Sequence, residues 1–339
     1  MQELIVSLLC LFFTTCTGIS CKDDNGMDVD WFIIYKLPEI PDSNNELVKA
    51  GVAYYYFDQS VQTGRLSTVG IDSSNQALAK TLDQIYSNHK SENVAYLMYN
   101  DAWPNTTTEH WDRGHTKGDV CLDTTGGFWL VQSAPHFPEP SNGSYSWPHN
   151  AKKYGQSLLC ISAQVEDGSF QKIVTALKYN CPAIFDSNVP PVIKNVVKGL
   201  DDVANGNCQD SDEDTHYHAA IKTTKGVALD IFAKAAKFNE DIYSKFLAPY
   251  YEADMYAETW QRGEPEDNIK SFCGDYKVEN IKSIILSDDV KFPSLDDHTK
   301  WAMTATYSES RICIRDINRQ VYVGHKGRGG GMVCEERPK

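Results

Sequence analysis

The sequence contains one tripeptide twice, in Gly114-His115-Thr116-Lys117-Gly118 and in Asp297-His298-Thr299-Lys300-Trp301. Apolar runs typical of strands lie next to both copies. On a strand, residues i and i+2 project from the same face, so each His is predicted to lie beside its Lys. An ammonium group can hold an anionic oxygen while an imidazole attacks phosphorus or donates a proton. The two tripeptides therefore predict phosphate chemistry.

The segments that follow the two tripeptides have matching spacing. A strand-like run, Phe128 to Ser133, lies 13 to 18 residues after His115, and Arg311 to Asp316 lies at the same offsets after His298. This repeat predicts a duplicated half-site, in which two His and two Lys surround one phosphodiester at the seam between two halves. The alternative is two unrelated surface His-Lys pairs, since a single H-x-K is a common tripeptide.

Length and hydropathy set the overall organisation. A chain of 339 residues with 41% hydrophobic residues can bury one large core or two smaller ones. The apolar segment Leu4 to Phe13 is too short to span a bilayer and is typical of a secretory signal peptide, predicted over residues 1–20. No later apolar run approaches the length of about 18 residues that a membrane span needs. We therefore predict a soluble mature chain with no membrane partner.

A proline-rich break over residues 182–192 divides the mature chain into two predicted halves. Residues 21–185 carry the first tripeptide and residues 186–339 carry the second. Each half mixes strand-like and helical patterns, and the longest helical patterns cover Asn75 to Lys90 and Lys225 to Glu252. The predicted fold class is a mixed α/β or α+β arrangement, in which each half is a β-sheet flanked by helices.

The cysteines and sequons indicate a secreted chain. Removal of the predicted signal segment leaves eight of the ten cysteines, an even number that predicts disulfides. The sequence has no C-x-x-C, which argues against structural zinc and thioredoxin-type chemistry. Sequons in turn-rich stretches predict glycosylation at Asn105 and Asn142.

The net charge of −14 is unusual for a protein that binds a polyanion at neutral pH. Either the partner is not a polyanion, or binding takes place where carboxylates are partly protonated and the nine His are charged. An acidic compartment would supply the second condition. Charge by itself does not choose between these two interpretations.

Four residues beyond the tripeptides are candidates for supporting roles. Ser133 and Asn318 follow the two motifs and could orient imidazoles or hold phosphate oxygens, although a structural role is the simpler interpretation. Lys326 and Arg328 lie among glycines and could bring cations and backbone amides to DNA phosphates. A flexible terminal turn explains the same glycine-rich stretch equally well.

Other residues suggest base stacking or metal binding, and each has a simpler explanation. Trp129 and Trp301 could stack on bases, but a Trp next to a strand is usually part of a core. His216 and His218 lie near the acidic residues of segment 210–214 and suggest a metal site. Without a third well-spaced ligand, a solvated acidic loop explains that pattern, so we predict no metal site.

Taken together, seven blocks of the sequence resemble the deoxyribonuclease II family, in the same order and over nearly the whole mature chain. The resemblance implies a phospholipase D-like fold, a pseudo-dimer of two similar halves. It also implies a lysosomal or secreted endonuclease that needs no metal ion or cofactor. Such an enzyme cuts double-stranded DNA at acid pH, leaves 3′-phosphate and 5′-hydroxyl ends, and clamps duplex DNA as a homodimer. The resembling blocks are Trp31 to Pro38, Gly114 to Gly118, Gly126 to Pro138, Tyr145 to Pro148, Tyr154 to Ser162, Asp297 to Trp301 and Gly329 to Cys334.

The resemblance also implies a role for each tripeptide residue. His115 attacks phosphorus to form a phosphohistidine on the 3′ side of the break. His298 protonates the departing 5′ oxygen and then activates the water that releases the product. Lys117 and Lys300 stabilise charge on the non-bridging oxygens. The resemblance leaves open which of the two His is the nucleophile.

Two disulfides follow from the resemblance, Cys21–Cys160 and Cys313–Cys334. The segment after Cys334 is short, and a family disulfide that reaches further toward the C-terminus has no partner in this sequence. Four further cysteines stay unassigned, namely Cys121, Cys181, Cys208 and Cys273.

Two other functions use the same residues. The first is a secreted, non-catalytic relative that binds DNA or a host partner. The second is a lipid phosphodiesterase that acts on a different diester with the same four side chains. The presence of both tripeptides favours an enzyme over the non-catalytic relative.

Overall fold

The computed structural model describes residues 18–262, 264–287, 289–306, 310–321 and 327–336. Most of the predicted signal peptide, together with Cys10 and Cys16, lies outside these ranges, and so does Lys326. Within these ranges, no helix has both the length and the apolar character that a bilayer crossing requires.

Strands make up most of the regular structure. Over the described ranges the strands are β1 (Cys21–Lys22), β2 (Asp28–Val29), β3 (Trp31–Lys36), β4 (Tyr54–Asp58), β5 (Arg65–Leu66), β6 (Ala95–Tyr99), β7 (Gly118–Leu122), β8 (Gly126–Gln132), β9 (Gln156–Gln164), β10 (Ile184–Asn188), β11 (His216–Lys222), β12 (Ala228–Lys234), β13 (Met255–Thr259), β14 (Phe272–Cys273), β15 (Lys277–Asn280), β16 (Ser283–Ser287), β17 (Val290–Pro293), β18 (Lys300–Thr304), β19 (Arg311–Arg315) and β20 (Gly330–Glu336). The α-helices are α1 (Glu46–Lys49), α2 (Ala77–Asn88), α3 (Ser169–Asn180), α4 (Pro191–Val196), α5 (Leu200–Ala204) and α6 (Ala248–Tyr251). Short 3-10 turns cover His149–Ala151, Ala236–Phe238, Pro265–Asp267 and Ser294–Asp296, and a π-helical turn covers Tyr243–Leu247.

Two large sheets carry the fold, and their central strands have the same order. In the described residues each sheet has eight strands, arranged β10-β6-β7-β8-β9-β3-β4-β5 and β11-β12-β20-β19-β18-β13-β15-β14. The central strands β6-β7-β8-β9 and β13-β18-β19-β20 are antiparallel throughout. Strands β7 and β18 occupy the same place in the two series; β7 follows the first His-Lys tripeptide, and β18 begins at the Lys of the second. The sequence repeat is therefore also a topological repeat. Strand β10 pairs with β6 and crosses the predicted boundary at 185/186.

The two sheets pack face to face through a shared apolar core. A second apolar cluster, the outer core, lies between the first sheet and α2. Alternate side chains of β3 enter the two cores: Phe32 and Ile34 belong to the outer core, and Ile33 packs against the shared core. Helix α3 and strands of both sheets also contribute to the shared core. Complete burial of one such aliphatic or aromatic side chain stabilises the fold by about 1.5–3 kcal/mol. Large members of the shared core are Trp129, Leu159, Ile161, Phe170, Leu177, Ile231, Ile314 and Val333.

One of the two predicted helices is confirmed and the other is wrong. Helix α2, Ala77–Asn88, lies within the predicted segment 75–90. The segment 225–252 instead contains strand β12, followed by the π-helical turn and the short helix α6. Strand β12 lies between β11 and β20, where both of its edges are hydrogen-bonded. These tertiary partners override a local apolar spacing that fitted a helix.

Three disulfides occur in the described part of the chain. Cys21–Cys160 and Cys313–Cys334 are the two pairs that the family resemblance implied. The third disulfide, Cys181–Cys208, joins two of the cysteines that the sequence left unassigned. The other two, Cys121 and Cys273, are free thiols, the first buried and the second exposed.

Candidate active site

Both tripeptides lie at the entrance to a central strand. His115 and Lys117 precede β7, and His298 precedes β18, which begins at Lys300. The prediction that each tripeptide lies on a strand is therefore wrong for three of the four side chains. The physical reason is that the His backbones hydrogen-bond to loops of the other half instead of to a neighbouring strand.

Each His is held by a glycine of the opposite half. The backbone N–H of His115 donates to Gly329 O at 2.9 Å, and the N–H of His298 donates to Gly155 O at 2.9 Å. Gly329 immediately precedes β20 and Gly155 immediately precedes β9, which are equivalent strands of the two sheets. The two halves therefore position each other's tripeptide by the same contact.

The close approach at these contacts requires glycine. A Cβ added at Gly155 would lie 2.2 Å from Asp297 Oδ1, and a Cβ added at Gly329 would lie 2.3 Å from Asn180 O. Asp297 cannot easily move aside, because it accepts hydrogen bonds from the Tyr35 hydroxyl and from Thr299 N at 3.0 Å. The two loops can thus approach the opposite half this closely only because these two positions have no side chain.

Asp316 of the second half binds the whole first tripeptide. Its backbone O accepts from His115 Nδ1 at 2.5 Å, while Oδ2 accepts from Thr116 Oγ1 at 2.5 Å and from Lys117 N at 3.3 Å. A carbonyl oxygen can only accept, so Nδ1 carries the hydrogen and Nε2 carries the lone pair. His115 is therefore held in the tautomer that presents a nucleophilic Nε2.

Lys117 belongs to a buried charge network. Its ammonium pairs with Asp101, and Asp101 Oδ2 also accepts from Arg328 Nη2 at 2.9 Å. Although burial opposes ionisation, the charges of Lys117 and Arg328 hold the pKa of the Asp101 carboxyl well below its usual range. Arg328 also donates to Arg113 O at 2.7 Å. Arg328 is thus a buried link between the halves, which corrects the interpretation of this residue as part of a flexible turn.

The second His is held by aromatic rings. The His298 imidazole stacks on Tyr154 with ring centroids 4.2 Å apart and planes at 13°, and it contacts Trp260 at 3.9 Å and 50°. Arg262 donates a hydrogen bond to the Tyr154 hydroxyl. His298 Nε2 is buried and has no hydrogen-bond partner among the described residues. A group that enters the site can therefore bond to this nitrogen without displacing a protein partner.

The pKa of the buried Lys300 ammonium group is close to 7. Its Nζ donates to His298 O at 2.7 Å. Burial lowers the pKa of Lys300 to about 7, with a further decrease from the Lys117 charge that Asp297 and Asp316 partly offset. Lys300 is therefore fully charged only in acid solution.

The charges of each tripeptide act on the imidazole of the other. Burial lowers the pKa of His115 well below its usual range, and the charges of Lys117 and Lys300 lower it further. Burial likewise lowers the pKa of His298 to about 2, with further contributions from Lys300 and Lys117. Each imidazole thus feels the ammonium of the opposite half. In acid solution the arrangement presents two imidazoles and two ammonium groups, which together suit a phosphate group.

Ser133 and Asn318 are buried near the tripeptides, but their observed hydrogen bonds connect parts of the protein. Ser133 Oγ donates to Gln156 Oε1 at 2.5 Å and accepts from Ser157 N at 3.0 Å, which ties the end of β8 to β9. Asn318 Nδ2 donates to Gln320 Oε1 at 3.4 Å. A contact of either residue with substrate stays a prediction.

Trp129 and Trp301 belong to or pack against the core, which was the simpler interpretation of these two residues. Trp129 is fully buried in the shared core, where the Arg315 guanidinium lies 4.8 Å from its ring, so a base cannot reach it. Trp301 is half-buried and packs against the same core. The exposed tryptophan of this region is Trp111, which is 55% exposed and lies 5.3 Å from the Arg328 guanidinium.

The histidines of the second sheet edge have protein partners. His218 Nε2 lies 2.9 Å from Asp230 Oδ1, and the His216 ring packs against Phe238 and Phe246. Across the described ranges, no group of three or more His, Cys, Asp or Glu side chains has the arrangement of a metal site.

The sequence did not identify five residues that shape the site. Asp316 ends the repeated segment, so its offset was visible, but nothing in the sequence indicated that it crosses to the first tripeptide. Asp101 has no spacing signal relative to Lys117. Tyr154, Trp260 and Arg262 meet at His298 only through the packing of the two halves.

Comparisons with known proteins show the family of this chain. A family model described as Deoxyribonuclease II matches residues 20–339. Plancitoxin-1 of Acanthaster planci is 37% identical over 324 residues, covering 95% of this chain and 88% of that protein. Deoxyribonuclease-2-alpha of Rattus norvegicus is 33% identical over 336 residues, covering 98% and 93%. Deoxyribonuclease-2 of Caenorhabditis elegans is 33% identical over 362 residues, covering 97% and 92%. The protein, with its paired His-Lys tripeptides closed across a seam, belongs to the deoxyribonuclease II family.

Proposed function

We propose that this protein is an acid endodeoxyribonuclease that hydrolyses double-stranded DNA without a metal ion and leaves 3′-phosphate and 5′-hydroxyl ends. The observation that carries the proposal is the reciprocal anchoring of His115 by Gly329 and of His298 by Gly155. This anchoring supports a site in which two imidazoles from different halves act on one diester. The names of the relatives, among them Deoxyribonuclease-2-alpha, point to DNA as the substrate.

His115 is the proposed nucleophile. Its Nδ1 is hydrogen-bonded to Asp316 O, which leaves the lone pair on Nε2. A strongly lowered pKa keeps the imidazole neutral in acid solution, where an ordinary His would be protonated and unable to attack. Attack forms a bond between Nε2 and phosphorus and breaks the bond between phosphorus and the 5′ oxygen. The product of this step is a phosphohistidine on the 3′ side of the break.

His298 is the proposed acid and base. It gives a proton to the departing 5′ oxygen, then takes a proton from the water that attacks phosphorus and breaks the bond to His115. Burial and nearby cations lower the pKa of His298 to about 2, so the acid role requires that the bound phosphodiester raise it. A phosphate anion beside the imidazole has this effect, because an opposite charge favours the protonated form. Proton transfer of this kind contributes about 10²–10⁴-fold to the rate.

Lys117 and Lys300 are proposed to hold the non-bridging oxygens. Both ammonium groups are buried, and each one lowers the pKa of both imidazoles. A hydrogen bond to a charged group contributes about 1.5–3 kcal/mol. Two such cations therefore supply the charge neutralisation that metal ions give to other phosphodiesterases. Since the pKa of Lys300 is lowered to about 7, full charge on both lysines requires acid conditions.

A plasmid cleavage assay tests the function. The protein is incubated with supercoiled plasmid at about pH 5 in excess chelator, and the new ends are identified with a phosphatase and a kinase. We expect cleavage that His115→Ala and His298→Ala both abolish, with 3′-phosphate ends. An absolute requirement for divalent metal would refute the mechanism. Retention of DNA without cutting would favour the non-catalytic binding function, and cleavage of a phospholipid instead of DNA would favour the lipid phosphodiesterase.

A lysosomal or secreted location is part of the proposal. The three disulfides support an oxidising compartment, where such bonds persist. Asn105 and Asn142 are exposed, as glycosylation requires. The signal peptide predicted over residues 1–20 lies mostly outside the described residues, and N-terminal sequencing of the secreted protein would test it. Light scattering would test the predicted homodimer.

A further inference from the structure

The two sides of the candidate site carry different arginines. On the His298 side, Arg262 is exposed, and its guanidinium lies 5.3 Å from the Tyr154 ring and 5.9 Å from the Trp260 ring. On the His115 side, Arg328 is 5% exposed and donates to Asp101 and to the backbone oxygens of His110, Arg113 and Gly114. One side thus presents an arginine to solvent, while the other uses its arginine inside the protein.

The Arg262 side chain is held in place without being buried. It donates to the Tyr154 hydroxyl, and Tyr154 and Trp260 contact each other with ring centroids 6.1 Å apart. The Trp260 indole N–H donates to Leu295 O at 3.3 Å, which fixes this ring in turn. A guanidinium that is held by aromatic faces and open to solvent is well suited to bind a phosphate through two parallel N–H groups.

We propose that Arg262 binds the phosphate immediately downstream of the scissile one. This inference rests on the proposed function, in which His298 protonates the 5′ oxygen of the departing nucleoside. That nucleoside must then lie on the His298 side, and its own 3′-phosphate is the next anion along the strand. Arg262 is the exposed arginine that contacts the rings around His298, so it lies on the path of this phosphate. Such a contact fixes the register of the strand without reading its bases.

Binding at Arg262 would also prepare His298 for its role. Burial is the main cause of the low pKa of His298, and the Arg262 charge is one of the cationic contributions that follow. A phosphate on Arg262 offsets that charge, so occupation of the downstream subsite favours protonation of His298. The subsite therefore affects both substrate binding and the delivery of the proton.

Dinucleotides that each contain one cleavable diester test the proposal. The three substrates are dithymidine with no terminal phosphate, with a 3′-terminal phosphate, and with a 5′-terminal phosphate. We expect the 3′-phosphate to increase kcat/KM about ten- to a hundredfold in the wild type, which is the effect of one hydrogen-bonded charge pair. The 5′-phosphate should have a much smaller effect. Arg262→Ala should remove the advantage of the 3′-phosphate.

Duplex DNA gives a second, independent measurement. The dependence of log KM on log salt reports the number of phosphate contacts, and the loss of one contact lowers its slope by about 0.9. We expect this decrease for Arg262→Ala, whereas Arg262→Lys should keep most of the slope because it keeps the charge. Arg65→Ala is the matched control, since Arg65 pairs with Asp24 and lies on the edge strand β5.

Tyr154→Phe separates binding from positioning. It removes the hydroxyl that Arg262 holds and keeps the ring that stacks on His298. If Arg262→Ala and Tyr154→Phe lower kcat equally on all three dinucleotides and leave the salt slope unchanged, Arg262 only positions Tyr154 and the proposal is wrong. If the wild type cuts duplex DNA but no dinucleotide, the salt slope decides. A wild type that cuts no DNA refutes the proposed function, whereas a cutting enzyme whose Arg262→Ala variant keeps the 3′-phosphate preference or the slope refutes only this inference.

Discussion

Thr116 and Asp316 are 200 residues apart in sequence, yet Thr116 Oγ1 donates to Asp316 Oδ2 at 2.5 Å in the buried seam. Thr116 lies in the first tripeptide, and Asp316 closes the repeated segment after the second. The same carboxylate accepts from Lys117 N, and the backbone oxygen of Asp316 accepts from the His115 ring. The second half of the chain thus fixes the catalytic candidates of the first.

Thr116→Val should lower both stability and activity. The substitution keeps the shape of the side chain and removes one buried hydrogen bond to a carboxylate, a loss of about 1.5–3 kcal/mol. Urea unfolding should show a lower midpoint with an unchanged slope. Thr63→Val, at an exposed position, is the matched control and should change neither quantity. An unaltered midpoint for Thr116→Val would mean that the bond contributes nothing to the seam.

Activity should fall as pH rises through the pKa of Lys300. Burial and Lys117 lower this pKa to about 7, so Lys300 is charged in acid and loses its proton above neutrality. The pH dependence of kcat/KM reports the pKa values of the free enzyme. Its decrease on the alkaline side should therefore be centred near pH 7. Bound phosphate stabilises the charged form, so the limb of kcat should lie at higher pH.

Lys300→Arg provides the check on this assignment. A guanidinium stays protonated across the accessible pH range, so the falling limb should move to higher pH even if the maximal rate drops. Identical limbs for the wild type and Lys300→Arg would show that another group controls the alkaline side of the profile.

Gly155→Ala and Gly329→Ala should each disrupt the reciprocal anchors. The added Cβ would lie 2.2 Å from Asp297 Oδ1 in the first case and 2.3 Å from Asn180 O in the second. Overpacking of this kind costs about 1–3 kcal/mol, and the displaced loop should lower kcat as well. Gly327→Ala, at a position with nothing within 4 Å of the added atom, is the control in the same loop. Equal unfolding temperatures for Gly327→Ala and Gly329→Ala would contradict the argument.

Asp119 should make the fold less stable as pH rises. It is fully buried on β7, and neither carboxylate oxygen has a hydrogen-bond partner among the described residues. Burial raises its pKa well above the usual range. The stability associated with the protonated form is complete below the unfolded pKa of about 4 and is lost as pH rises through the folded value.

Asp119→Asn removes this titration. Near pH 4 the variant and the wild type should have the same free energy of unfolding, and at higher pH the variant should become progressively more stable than the wild type. Urea unfolding at each pH measures this difference. Asp123→Asn, which changes a carboxylate in the loop after β7, is the control. A constant difference between Asp119→Asn and wild type across this range would show that Asp119 does not titrate in the fold.

The sequence predicted the features that depend on local pattern or on repetition. The helix over 75–90 is amphipathic and forms as α2, since its apolar face meets the outer core of the first sheet. The segment 225–252 has a similar apolar spacing, yet much of it pairs as β12. Spacing alone could not distinguish these outcomes, because the neighbouring strands β11 and β20 lie before and far after it in the chain.

The sequence by itself indicates that the half-site is duplicated, because two His-Lys tripeptides with matched following segments are visible without coordinates. Tertiary structure alone decided how the copies meet, with Asp316 bound to the first tripeptide and Tyr154 stacked on His298. These contacts join residues more than a hundred positions apart, so no local propensity encodes them. Only the packing of two sheets across one buried core brings such groups within hydrogen-bonding distance and removes the water that would keep their pKa values ordinary.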